Sequence, residues 1–153
     1  MYSDEKQVGN IAVKMLENSL RQKTQSFKYH INRKPEDISL KNATAKARVK
    51  KYGRKKNGTL SYFMRSLSID MAKHGYVQNY GVNNRTRSGG FRENKGTKYS
   101  FKAHVMNMKA KPFIDEAIKN SNVIEFVQEN VAKIRLTDLA FFIKQSLEQS
   151  NPK

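Results

Sequence analysis

Three histidines, His30, His74 and His104, are the first residues a search for chemistry reaches in this 153-residue chain. They stand far apart, and none has a second histidine or an acid at ligand spacing, so no metal site is expected. Serines are plentiful, yet none sits in a G-x-S-x-G elbow, and no acid is suggested as a partner for His74. Acid–base hydrolysis wants two carboxylates in a cleft, and the middle of the chain offers only Glu36, Asp37, Asp70 and Glu93. Neither a P-loop nor a dinucleotide fingerprint is present, and "RSGGF" is a weak glycine signal. Absence of cysteine excludes disulfides, thiolate zinc sites and cysteine nucleophiles. The expectation is a protein that is not an enzyme and takes no cofactor or metal.

Charge is the feature with chemical content. Thirty Lys and Arg against 13 Asp and Glu give +17, a balance that seeks a polyanion. The excess sits in the middle. Residues 21–60 hold 13 basic and 2 acidic side chains, and residues 61–111 hold 10 and 2. The ends, 1–20 and 112–153, hold 2 against 3 and 5 against 6. In "KARVKKYGRKKNG" Lys46, Arg48, Lys50, Lys51, Arg54, Lys55 and Lys56 surround Tyr52. In "NNRTRSGGFR" Arg85, Arg87 and Arg92 accompany Phe91. Cations neutralise phosphates and aromatics stack on bases. No RNP, KH or zinc-finger pattern joins them, so the expectation is proximity to DNA through charge alone, without sequence reading.

These residues need elements to hold them. Val8, Ile11, Ala12, Met15, Leu16 and Leu20 recur at helical spacing over 4–24, with Ser3, Asp4 and Glu5 suited to its start. Phe27, Tyr29 and Ile31 alternate as in a strand until Pro35, and "EDISLKNA" reads as a short helix. Ala45, Ala47 and Val49 alternate with Lys46, Arg48 and Lys50: a half-buried strand with one cationic face. Asn57-Gly58 marks a hairpin turn, so 44–71 reads as an antiparallel hairpin. The stretch 82–96, rich in Gly, Asn and Arg, reads as a long basic loop, flexible in an isolated subunit and ordered on assembly. "TKYSFKAHVMNM" is a further strand. Pro112 stands where a helix begins, and "FIDEAIKNS" is a short helix. From Val123 to Leu147 the pattern is helical with two apolar stripes and a bend at Thr137-Asp138.

The result is one α+β domain over 1–153: a small antiparallel sheet with an N-terminal helix and C-terminal helices packed on it, one long basic loop, and a tail at 150–153. At 37% hydrophobic residues the core should be thin. No apolar run reaches the ~18–20 residues that span a bilayer. The N-terminus, with acids ahead of any apolar run, does not read as a secretory signal.

Three pieces together, "MAKHGYVQNYGV", the basic "NNRTRSGG" and "MKAKPFIDEAIKNS", resemble the neck and head–tail joining (tail-completion) proteins of tailed double-stranded DNA bacteriophages. That family places an aromatic–x–x–x–aromatic–Gly motif at the end of a strand, and a later K-P-F–x–x–x–A motif at a helix start. The matching residues here are Tyr76, Tyr80 and Gly81, then Lys111, Pro112, Phe113 and Ala117. "KHG" at Lys73–Gly75 is similar to versions carried by phages of gut Bacteroidetes. The resemblance spans roughly 5–147 in element order. The family pattern has an acid before the second aromatic, where this chain has Asn79.

The resemblance implies a virion protein: a homo-oligomeric ring in the neck, joining portal or adaptor rings to tail proteins around non-specifically held double-stranded DNA, with no membrane. It implies that His74 and Gly75 form a tight bend with glycine at positive φ, that Tyr76, Val77 and Tyr80 pack the next segment on the core, and that Gly81 releases the chain into the loop. Its channel-facing residues would be the ten cations named above. The alternative is a small basic RNA- or DNA-binding protein without sequence specificity.

Overall fold

The computed structural model describes residues 2–25, 27, 40–54 and 60–150. Helix α1 (Glu5–Thr24) starts at Asp4, whose carboxylate accepts from the Gln7 N–H at 2.9 Å. Its predicted stripe is the spine of the core: Val8, Ala12, Leu16 and Leu20 are all but completely buried. A 3₁₀ turn (Leu40–Asn42) then leads into β1 (Thr44–Arg54) and β2 (Leu60–Asp70). These two strands form the expected antiparallel hairpin, pairing Ala45 with Ile69 and Ala47 with Leu67. Their inner face lies on α1, and a Cβ built on Gly9 would sit 3.1 Å from the Cβ of Ala47.

Helix α2 (Lys73–Tyr80) follows, then β3 (Val82–Arg87), β4 (Gly90–Asn94), β5 (Thr97–Phe101) and β6 (His104–Met108). The chain closes with α3 (Phe113–Ser121) and α4 (Val123–Ser150), separated by Asn122 in the left-handed conformation. Phe113, Ile114 and Ala117 of α3 bury against α1, and Phe27 meets the Phe113 ring edge-on at 5.2 Å. The architecture is α+β, with N-terminal and C-terminal helices packed on antiparallel strands.

Three expectations are corrected. The pairing is split into three two-stranded ladders, β1–β2, β3–β6 and β4–β5, in place of one sheet. The stretch 82–96 is extended and paired, not a loop. β3 pairs with β6 and β4 with β5, so 82–108 forms one long hairpin arm, interrupted at 88–89 and 102–103. Its tip is Lys95-Gly96, both at positive φ (49° and 81°), the geometry of a two-residue hairpin turn. The third correction concerns the terminal helix, which runs through Thr137-Asp138 without ending; the Thr137 hydroxyl donates back to the Lys133 carbonyl at 2.8 Å. Pro112 is the cap of α3, one residue before its first turn. The strand read at Tyr29 and Ile31, the helix read at 36–39 and the turn at Asn57-Gly58 lie outside the described residues.

Candidate nucleic-acid interface

The hairpin fixes the first group of cations. Ala45, Ala47 and Val49 turn toward α1, so the strand period of two sends Lys46, Arg48 and Lys50 to the other face, where all three are exposed. Ser68 and Ser66 stand opposite Lys46 and Arg48, so the strand partner adds no acid there. Lys46 does reach an acid at the strand end, Asp70, at 2.7 Å; both groups are largely in water, which makes the pair worth little. The register slips between Arg48 and Val49, and Arg65 is the extra residue on β2. It is exposed, and adds a cation that the alternation of β1 could not reveal. Lys51 is exposed beside Tyr52, whose ring stacks on Phe63 at 4.8 Å. Arg54 pairs with Leu60 in the ladder; Lys55 and Lys56 lie outside the described residues.

A second group rides on the arm. Residues 82–108 carry six basic side chains and one acid, and Arg85, Arg87 and Arg92 are exposed. Arg92 and Arg87 lie over the Phe101 ring at 5.1 and 5.9 Å from its centroid. Phe101 belongs to a strand that sequence reasoning did not connect with the arginines; the strand pairing brings it there. Phe91 is 84% exposed. A hollow of about 430 Å³ at the arm's base is lined by Val77, Val82, Arg85, Thr86, Arg87 and Met106.

The motif residues form the clasp between arm and body. They are helical where a bend was expected. His74 is exposed on α2, and Gly75 has no positive φ. Gly75 is instead needed for space: a Cβ there would lie 2.6 Å from Leu40 Cδ2 and from Met71 Sδ. Tyr80 is 69% exposed and Val77 38%, so neither packs the core as anticipated. Tyr76 is also partly exposed and ties α2 to β2 through its hydroxyl, which donates to the Ile69 carbonyl at 2.9 Å. Gly81 does end the element at φ 73°, with its Cβ direction blocked by the Met108 carbonyl oxygen at 2.6 Å.

The buried member of the clasp is Asn79. Its Oδ1 accepts from the Ile114 N–H at 2.8 Å and its Nδ2 donates to Asp115 Oδ2 at 3.1 Å. It thereby satisfies a free N–H at the start of α3. Lys111 N–H donates to the Gln78 carbonyl at 2.8 Å, and is exposed like Pro112. Ala117 is fully buried, its carbonyl accepting from the Ser19 hydroxyl at 2.8 Å. Among the described residues no cluster of three potential metal ligands occurs.

No family model matches the chain, and neither the curated proteins nor the solved structures contain a significant match to it.

Proposed function

We propose that the chain is a structural subunit of a tailed-phage neck, forming a ring that joins head to tail around the DNA channel. The observation that carries this reading is the file of Lys46, Arg48 and Lys50 on the outer face of an 11-residue strand. A line of exposed cations on a ribbon attracts phosphates without contacting base edges. Transit through a channel asks for such contacts, weak and equivalent, and not for a pocket. The arm provides a second ribbon of the same sign. The motif residues Tyr76, Gly81, Phe113 and Ala117 join the arm's base to the core, a use that fits the motif's resemblance to that of neck proteins.

Among the described residues no helix is long and apolar enough to cross a membrane. Location in the virion is part of the proposal.

One observation favours the second reading, a free nucleic-acid-binding protein: Arg87 and Arg92 lie over the Phe101 ring, a group able to stack on unpaired bases. Negative-stain electron microscopy of the purified chain, paired with binding to free duplex and single-stranded DNA, separates the two. Annular particles with a central opening support the neck subunit. Monomers that bind free nucleic acid tightly overturn it. Portal, capsid and tail genes beside the coding sequence would agree with the neck reading.

A further inference from the structure

Helix α4 has two apolar faces that point in opposite directions. In its first half Val123 and Ile134 are buried and Phe126 and Val127 pack on the core. Arg135 is then tied to Glu5. Fifteen further residues, roughly 22 Å of helix, carry the second stripe. Leu136, Leu139, Ile143 and Leu147 are 64%, 54%, 53% and 62% exposed. Nine residues separate Val127 from Leu136, about two and a half turns, so the second stripe starts on the side opposite the first. Leu136, Ala140, Ile143 and Leu147 follow one another at four, three and four residues, which keeps them within a band roughly 60° wide.

The same chain carries an apolar groove of about 250 Å³ between β2 and the first half of α4, lined chiefly by Met64, Leu67, Val123, Ile124, Val127 and Val131. Ile124 is 55% exposed in it. One continuous helix supplies both a wall of this groove and the projecting ridge, so a chain cannot seat its ridge in its own groove.

We infer that the ridge Leu136–Leu147 of one copy docks in the β2–α4 groove of the next copy. Charge agrees: residues 136–150 carry Lys144 against Asp138 and Glu148, a slightly negative segment in a strongly positive chain, while exposed Arg65 lines the groove. Ridge-to-ridge pairing is the poorer solution. The seam is two heptads long, short of the three to four that sustain a coiled coil. Seating in a groove adds Ile124, Met64 and Leu67 to the buried surface. The contact is head-to-tail, and repeats until it closes or extends. It gives the proposed ring its subunit contact, and rests on that reading for closure only.

The test uses light scattering on the full chain with two exposed-site variants, Ile143→Asp on the ridge and Ile124→Glu in the groove. The wild type should be oligomeric. Each variant should be monomeric with the wild-type circular dichroism and melting temperature. Mixed at equal concentration, the two should form a 1:1 dimer and nothing larger, since each retains one intact surface. A wild type that stays monomeric at about 100 µM, roughly ten times a micromolar-class dissociation constant or more, overturns the inference. So does oligomer size unchanged by Ile143→Asp, self-association retained by Ile124→Glu, or a mixture that remains monomeric. Open filaments in place of closed rings would leave this contact standing and remove the neck reading.

Discussion

The Glu5 carboxylate, 1% exposed, accepts from Arg135 Nε at 2.7 Å and Nη2 at 3.3 Å, joining residues 130 positions apart. Its Oε2 also accepts from the Met64 N–H at 2.6 Å. One buried acid thus ties the start of α1 to β2 and to the middle of α4, where the helix leaves the body. Arg135 itself is 54% exposed and lies over the Phe63 ring at 5.4 Å.

That asymmetry sets the order of two substitutions. Arg135→Met leaves a carboxylate buried with one N–H donor, whereas Glu5→Gln leaves a guanidinium that turns to water. We expect Arg135→Met to lose on the order of 2–3 kcal/mol, below the 3–5 of a fully buried pair because Arg135 is half solvated. Glu5→Gln should lose less, since the amide oxygen still accepts from Met64. Urea unfolding midpoints check the order; equal losses would show that desolvation of Glu5 is not the governing term. The hydrogen bond to Glu5 holds Arg135 above its ordinary value. The stability it contributes is therefore present below the free-arginine range and lost only as pH rises through the higher folded value.

Asn79 offers a sharper test, because the neck-protein motif that its surroundings resemble has an acid at this place. Asn79→Asp would set two carboxylates at the 3.1 Å now spanned by Nδ2 and Asp115 Oδ2. We expect a loss of about 1–3 kcal/mol from a missing donor at buried Asn79 and from like charge beside Asp115, which is itself exposed. The double variant Asn79→Asp/Asp115→Asn restores a donor–acceptor pair and should regain more than half of that loss. Strictly additive losses in the double variant would break the proposed link between the end of α2 and the start of α3.

Two glycines should respond differently to alanine. At Gly75 the obstructing atoms are the ends of the Leu40 and Met71 side chains, which can turn aside, and helix propensity favours alanine by about 1 kcal/mol. Overpacking of about 1–3 kcal/mol opposes this, leaving a net loss of about 0–2 kcal/mol. At Gly81 the obstacle is backbone, and φ is 73°. Strain there adds about 1–3 kcal/mol to the clash, so Gly81→Ala should melt well below Gly75→Ala. The reverse order of melting temperatures would contradict the fixed arm base.

The features legible in the sequence were those with a clean period and one buried face. Val8 to Leu20 on α1 and the Ala–Lys alternation of β1 each have a core on one side, so the residue pattern reports the geometry. The arm has no such side. From Asn83 to Ser100 most residues are exposed on both faces, and composition rich in glycine and asparagine hid a hairpin that cross-strand hydrogen bonds define. At α2 the sequence suggests a bend, since Gly75 invites positive φ, while the tight space beside Leu40 and Met71 that demands glycine is a tertiary fact. Arg65 and Phe101 joined the candidate interface through a bulge and a strand pairing, which composition does not encode. Both stripes of α4 are visible in the sequence, but which of them is buried is decided by the packing of the body on the first.

The cationic face of β1 yields the prediction closest to function. Lys46 is partly engaged with Asp70, so Arg48, Lys50 and Lys51 are the better targets. All three are exposed, and Arg48 and Lys50 share the outward face; reversing them should leave the fold intact. If this face meets DNA, the triple variant Arg48→Glu/Lys50→Glu/Lys51→Glu should bind duplex more weakly. The slope of log K against log salt should fall by at least about two phosphate contacts' worth, those of Arg48 and Lys50, about 0.9 each. Loss should be uniform across DNA sequences, because phosphate contacts carry no base information. Reversal of Arg85, Arg87 and Arg92 on the arm measures the second ribbon separately. A fall in single-stranded binding larger than in duplex binding would assign Phe101 and its two arginines to base stacking. If the β1 cations instead face an acidic neighbouring ring, the triple variant should keep its salt slope and fail to join head to tail in particles. Unchanged slopes together with normal particle joining would reduce these cations to a solvated surface, and the charge of the chain would then carry no functional reading.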